Sequence, residues 1–420
     1  MAPRALASPA LRRAGLDAVL GFAWDAGVFT ASEAMEGVGL TRSTTIDVID
    51  ELVGRGLLRE LPNAREAGQY RKGRPSRRFE LRAEAGTVVG VDAGHAHVTV
   101  MLADLRGATI ATHRVALARD QDSPEGRLAT TAAAVDHAVR GAGLHRSAVL
   151  ALCVGVPAPV DVAGSTPPHR DGFWRRMDPG FAAAFSTWVP AVRVENDARL
   201  AAVAERAVGA AEGCEDFVAL LAGERLGAGV CVDGRLLRGA HGGVGEMIAF
   251  AHVAGVEGAW GLGHRAAQWA REALQNGSLP AESALAGLSP GQIDGRLVLT
   301  LAAAGDPGAL PVAHRLGDFL AVIAGVMGSL FDSRRIIVSG AVAANAAPVI
   351  EAARAALPTE LDLPAPEIVA STLGADVVSI GAVSAAREDA RTRVLDLPAF
   401  AAVPATDGDG ESARVDATTP

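Results

Sequence analysis

The feature that most constrains the fold is a strand pattern that occurs twice. The run TVVGVDAG from Thr87 is apolar and ends in a turn, HVTVMLADLRG continues as a second strand with a hairpin, and TIATHRVAL reads as a third. Apolar runs bounded by turn residues mark buried strands, and short connections make these three antiparallel neighbours. A helix near 127–142, the strand VLALCVGVPAPVD, a helix near 180–189, the strand VRVENDA and a helix near 198–211 follow. From Phe217 the plan restarts as FVALLAGERLGAGVCVDGRLLRG, with a long helix over 312–330, the strand and turn RRIIVSGAVA, and a last helix over 381–387. A duplicated set of three strands plus crossover predicts an α/β body of two similar halves with a cleft between them.

The front of the chain has another texture. Ser8-Pro9 is suited to cap and open a helix whose apolar face is Leu16, Val19, Leu20 and Ala23. Thr30-Ala31-Ser32-Glu33 is a capping box for a second, shorter helix that Gly37 and Gly39 end. Thr41 caps a third, with Ile46, Ile49 and Val53 on one face and Arg42, Ser43, Thr44 and Thr45 on the other. Short hydroxyls and a guanidinium are the groups that reach base edges and phosphates when a helix enters the major groove. Strands over 57–61 and 77–81 then complete a winged helix-turn-helix, placed at residues 1–82. The loop between and into these strands carries Arg65, Arg71, Lys72, Arg74, Arg77 and Arg78 against a single Glu66. Such a loop alone also suits a solvated linker; directly after a capped helix bearing RSTT, it suits phosphate or minor-groove contacts.

Length and charge agree with this division. A chain of 420 residues exceeds one small domain. Residues 1–82 hold 13 basic and 10 acidic side chains, and the remainder 26 and 38, so non-specific nucleic-acid binding by the body is disfavoured. Cys153, Cys214 and Cys231 are few and form no CxxC, which fits a reducing compartment and neither a disulfide framework nor a cysteine metal site. No uninterrupted apolar run reaches the ~18 residues of a membrane span, and the most apolar stretch, over 320–331, is closed by Asp318 and Asp332. A cytoplasmic protein without a membrane segment is expected. From about residue 398 the sequence is small, polar and acidic, which predicts a disordered tail over 398–420 after a body over 83–397.

These motifs together resemble the ROK family (repressors, open reading frames and kinases). VGVDAGHAHVTVMLADLRG is similar to that family's first phosphate strand, and GVPAPVD, VENDARLAAVAE, GAGVCVDGRLLRGAHGGVGE and RRIIVSGAVA recur in its order and spacing. The likeness covers roughly residues 10–390 and implies a two-lobed actin-like ATPase (ribonuclease H-like) body. The front, with its GRPSRRF wing, resembles the DNA-binding domain of the family's repressor branch.

The resemblance also marks departures. Family kinases hold ATP phosphates in two glycine-rich hairpins, because phosphoryl transfer is mostly positioning and charge neutralisation. The first, DxGGTK-like, reads Asp92-Ala93-Gly94-His95-Ala96-His97 here; the second, GTGIGAG-like, reads Glu224-Arg225-Leu226-Gly227-Ala228-Gly229. A carboxylate facing a phosphate at ~4 Å costs about 4 kcal/mol at an effective dielectric near 20. An active kinase is therefore not expected, and no catalytic residue or cofactor is assigned. Asn196, Asp197 and Glu246 correspond to the sugar end; the family's kinases would use the aspartate as general base, and without ATP it can still accept sugar hydroxyls. Asn196-Asp197 would equally cap a helix after a strand. The family's zinc-binding histidine and cysteine cluster is missing, with Ala249 at the histidine position, so no metal is expected. The expected function is a sequence-specific transcriptional regulator, a repressor that binds operator DNA as a homodimer or dimer of dimers and answers to a sugar or sugar derivative. An active sugar kinase with an accessory DNA-binding head, or a ligand-blind DNA-binding dimer, are the alternatives.

Overall fold

The computed structural model describes residues 8–62, 76–169, 172–357 and 363–400. It divides into two units, one of residues 1–85 with 391–420, the other of residues 86–390.

In the first unit, α1 (Pro9–Asp25) starts where Ser8 Oγ accepts the Leu11 N–H. A short strand, β1 (Phe29–Thr30), leads into α2 (Ala31–Val38). The capping box is formed: Thr30 N–H donates to the Glu33 carboxylate at 2.7 Å and Glu33 N–H to Thr30 Oγ1 at 3.3 Å. Gly39, at φ +69°, ends α2, and Thr41 caps α3 (Arg42–Gly54). The strands β2 (Leu58–Leu61) and β3 (Arg78–Leu81) pair antiparallel, and β1 adds to the far edge of β3. Trp24, Leu20, Ile49, Leu52, Leu57 and Phe79 are the buried centre.

The buried face of α3 differs from the one read in the sequence. Thr45, Val48, Ile49 and Leu52 are inside, while Ile46 and Val53 are only half-buried. Both sets have helical spacing; packing of Val48 against Gly15 of α1 goes with the first. Thr45 can be inside because its hydroxyl donates to the Thr41 carbonyl at 3.0 Å.

Residues 391–400 strap this unit. Arg391 pairs with Asp25 at 2.9 Å, Asp396 pairs with Arg13, and Arg55 donates to the Phe400 carbonyl at 3.1 Å. Pro398–Phe400, which composition assigns to the tail, form a helical turn with Phe400 buried. The rest of that expected tail, from 401 on, lies outside the described residues.

The second unit has two sheets with the same plan. In the first half, β4 (Thr87–Ala93), β5 (His97–Asp104) and β6 (Thr109–Ala116) are antiparallel; α4 (Pro124–Gly141) crosses to β7 (Val149–Val156). Two short helices, α5 (Phe173–Met177) and α6 (Phe181–Phe185), precede β8 (Ala191–Asn196) and α7 (Asp197–Val208). The helix expected over 180–189 is thus only five residues long; Ser186 and Thr187 turn their hydroxyls onto the Ala182 and Ala184 carbonyls and compete with its continuation. The second half runs β9 (Phe217–Leu221), β10 (Gly227–Val232), β11 (Arg235–Leu236), α8 (Leu262–Gln275), α9 (Gly295–Ala303), α10 (Ala309–Phe331), β12 (Arg335–Ser339), α11 (Ala347–Ala356), β13 (Glu367–Ala370) and α12 (Val377–Arg393). The orders β6-β5-β4-β7-β8 and β11-β10-β9-β12-β13 are the same topology twice.

Among the described residues, α10 alone is long and apolar enough to cross a membrane, and 56% of its most apolar window is buried inside the fold. Its Leu316, Phe319, Leu320 and Ile323 lie in the core of the second half. Between the halves α12 crosses α7 closely: a Cβ on Gly381 would stand 1.9 Å from the Leu200 carbonyl oxygen.

Candidate ligand cleft and nucleic-acid face

The cleft of the second unit draws one wall from each half. Asn196 and Asp197 end β8 and start α7, while Leu221, Arg225, Leu226 and Gly227 come from the β9–β10 hairpin and Glu246 from the segment that bridges back to Gly227. The structure therefore brings the three sequence-predicted ligand residues to one cavity. Their freedom differs. Asn196 Oδ1 accepts the Arg199 N–H at 3.0 Å and its amide donates to the Ala158 carbonyl at 3.1 Å, so much of its polar capacity is spent on capping α7. Behind it Glu195 is held by Arg199 at 3.1 Å and Arg238 at 2.6 Å, which fixes the end of β8.

Asp197 accepts the Ala198 N–H at 2.7 Å. Burial, reinforced by the charges of Asp92 and Glu246, pushes its carboxyl up to about 8. Near neutral pH it is thus a protonated acid that can both donate to and accept from a hydroxyl. Burial raises Glu246 as well, opposed by the positive charges of Arg225 and His169. Sequence reasoning did not find the rest of the wall: Phe173 and Trp174 of α5, His169 and Ile248. A Phe-Trp pair in a chain with five tryptophans was a visible signal, but only the fold aims it at this cavity.

The two glycine hairpins are tied to their own chain. Arg127, 1% exposed, donates to the carbonyls of Ala93 (3.0 Å), Gly94 (2.6 Å) and His95 (3.1 Å), while His97 bonds Asp92 at 3.0 Å. At the second, Gly261 N–H donates to the Glu224 carbonyl at 2.9 Å and Gly263 N–H to Gly223 at 3.1 Å. These amides, at the start of α8, are the donors an anion at that helix end would need. The Glu224 carboxylate meets His264 Nδ1 at 2.8 Å, and His264 stacks on Trp260 with ring centres 4.1 Å apart.

Zinc does not fit the residues present. Cys153 and Cys231 lie inside β7 and β10 and Cys214 is buried, and no group of three potential ligands occurs among the described residues.

On the first unit, Arg42, Ser43 and Thr44 are exposed on the first turn of α3. Thr45, expected beside them, is fully buried with its hydroxyl spent on Thr41, so it cannot reach a base edge. Arg77 is exposed but bonded to Glu60 and Asp50, both at 2.8 Å, and lies over the Phe79 ring. Arg78 is half-buried on β3. Arg71, Lys72 and Arg74 lie outside the described residues.

Two matched five-stranded sheets around a cleft, with carboxylates at its strand ends, define a two-lobed body of the actin-like sugar-kinase type. Residues 88–389 match the ROK family model, and the chain belongs to the ROK family. Its relatives include a glucokinase of Streptomyces coelicolor, 26% identical over 325 residues, with 72% of this chain and 98% of the enzyme covered. A xylose repressor of Caldicellulosiruptor bescii is 24% identical over 210 residues, about half of each chain (50% and 51%). The fold is also similar to the crystal structure of a ROK family transcriptional regulator, a homologue of the E. coli MLC protein, with a TM-score of 0.69 at 19% identity over 93% of this chain and 99% of that one.

Proposed function

We propose that the chain is a one-component transcriptional regulator, a repressor, in which a winged helix-turn-helix head binds operator DNA and the sugar-kinase-like cleft senses a sugar or sugar derivative. The observation that carries the reading is the contrast inside the body: at the second nucleotide hairpin the Glu224 carboxylate stands on His264 and the Gly261 and Gly263 amides at the start of α8 are spent on the Glu224 and Gly223 carbonyls, whereas Asp197, Glu246 and an aromatic wall line a cavity. A sensor needs only the cavity; a kinase needs the hairpin too. The exposed first turn of α3, with Arg42, Ser43 and Thr44, supports the DNA-reading part, and β2 and β3 would be the wing strands.

Two heads are needed to span operator half-sites about one helical turn apart, so the working form is a homodimer or dimer of dimers in the cytoplasm. The head joins the body at two points in the chain, between Ala85 and Gly86 and inside α12 at Ala390–Arg391. A ligand that favours one form of the body can act through these connections if it has different affinities for DNA-competent and incompetent forms.

The test is capture of genomic fragments followed by release with a panel of sugars. Asp197→Ala should still bind the captured operator and should no longer be released; an unchanged release would remove the cleft from the mechanism. The glucokinase likeness supports a second reading, an active kinase carrying an accessory head. Hexose-dependent ATP turnover above background would establish it in place of the first.

A further inference from the structure

One cleft residue has no use in a neutral-sugar cradle. Arg225 lies in the hairpin between β9 and β10 and lines the same cavity as Asp197 and Glu246. Its guanidinium sits 5.3 Å from the centre of the Trp260 ring, which is itself backed by His264. The backbone of Arg225 bridges to Trp260, and Leu226 N–H donates to the Ala259 carbonyl at 2.9 Å, so both ends of the residue are held. Among the described residues no carboxylate lies within ion-pair distance of it; the adjacent Glu224 is taken by His264. The result is a pre-oriented guanidinium facing a cavity.

The other charges of the cavity favour a negative ligand more than a count of carboxylates suggests. Asp92 is bonded to His97, and Asp197 carries its proton at neutral pH. Glu246 is the remaining carboxylate, countered by Arg225 and by His169, whose ring packs on Trp174 at 4.4 Å. Phe173 and Trp174 offer the apolar surface on which the C–H face of a pyranose stacks.

We propose that the cleft takes a monosaccharide bearing an acidic group, a phosphate or a carboxylate, and that Arg225 holds that group. The inference rests on the reading of the cleft as a ligand sensor. Arginine suits both anions because its planar fork meets two oxygens at once.

The experiment is calorimetric titration of the full chain with matched probes: glucose, glucose 6-phosphate and glucuronate, then the equivalent pentose set. One of the anionic sugars should bind at least about tenfold more tightly than its neutral counterpart, as a charge-assisted hydrogen bond implies. Arg225→Gln should erase that difference while leaving the neutral sugar within about threefold, and Arg225→Lys should retain part of it. The wild-type comparison needs no variant and so holds even if a substitution fails to fold. A neutral sugar binding as tightly as its anionic partners would overturn the anion assignment and leave the sensor intact. No binding by any member would overturn both.

Discussion

Asp197 is the residue whose chemistry is most altered by its surroundings, and it makes a prediction with a definite sign. Its folded value near 8 lies far above the ordinary aspartate value, so in the pH range between them the unfolded chain binds fewer protons than the folded one. Stability therefore falls as pH rises from about 4 to about 8, by at most about 5 kcal/mol from this group. Glu246 and Asp178 are raised by burial too and act with the same sign. Asp197→Asn should gain stability over wild type progressively through that window, measured as urea midpoints at pH 5 and pH 8.5. An equal difference at both would mean that the carboxyl is not held protonated. On the head, Arg42→Ala should cost about 1–3 kcal/mol of specific DNA binding. Arg77→Ala should cost less, because Asp50 and Glu60 already neutralise that guanidinium; an equal loss in filter-binding titrations would show that DNA displaces those carboxylates. The resemblance singles out Asn196, Asp197 and Glu246, and the structure places all three on one cavity. The sequence could not separate buried Thr45 from exposed Thr44, since a threonine hydroxyl can turn back to its own helix.

At the scale of elements, legibility followed local determinants. Caps at Ser8, Thr30 and Thr41 are written in adjacent residues, and the strands of both halves stand as apolar runs between turns. Elements with weaker local signals do not stand out in the sequence, β1 being two residues long and β13 four; α8 escapes the reading even though Leu262, Ala266, Trp269 and Ala270 repeat at helical spacing on its buried face. The rotation of α3 about its axis is likewise a tertiary choice, made by contact with α1. The crossing of α7 and α12 is the sharpest case, because it depends on one missing methyl. Gly381 lets the Leu200 carbonyl approach to a distance no Cβ tolerates, and the obstacle is backbone that cannot swing aside. Gly381→Ala should destabilise the second unit by about 3 kcal/mol or more, read from its denaturant midpoint. Gly141→Ala, on the solvent side of α4 with open space around it, is the control and should be neutral or slightly stabilising. Equal effects would show that α12 adjusts its position freely.

For the whole molecule, the proposed function requires linkage between the two ends. If a cleft ligand lowers operator affinity by some factor, the operator must lower ligand affinity by the same factor, whatever the path between them. A coupling of 1–3 kcal/mol, about 5- to 150-fold, is typical of such systems. The prediction is that titrating the anionic sugar into protein saturated with operator DNA gives a dissociation constant weaker than that of free protein, by the ratio seen in DNA release. Asp197→Ala removes the ligand and so should leave DNA affinity at its uninduced value. Loosening the strap tests a different step. Asp396→Ala breaks the pair to Arg13 within the first unit, far along the chain from any cleft residue. If residues 391–400 transmit the ligand state to the head, this substitution should reduce the coupling factor while leaving ligand affinity of the DNA-free protein unchanged. An unaltered factor would assign transmission to the other connection, at Ala85–Gly86. Equal factors measured from both directions are required by thermodynamics. An inequality would mean that the DNA-bound and ligand-bound proteins differ in assembly, and dimer dissociation would then have to enter the mechanism as its own equilibrium.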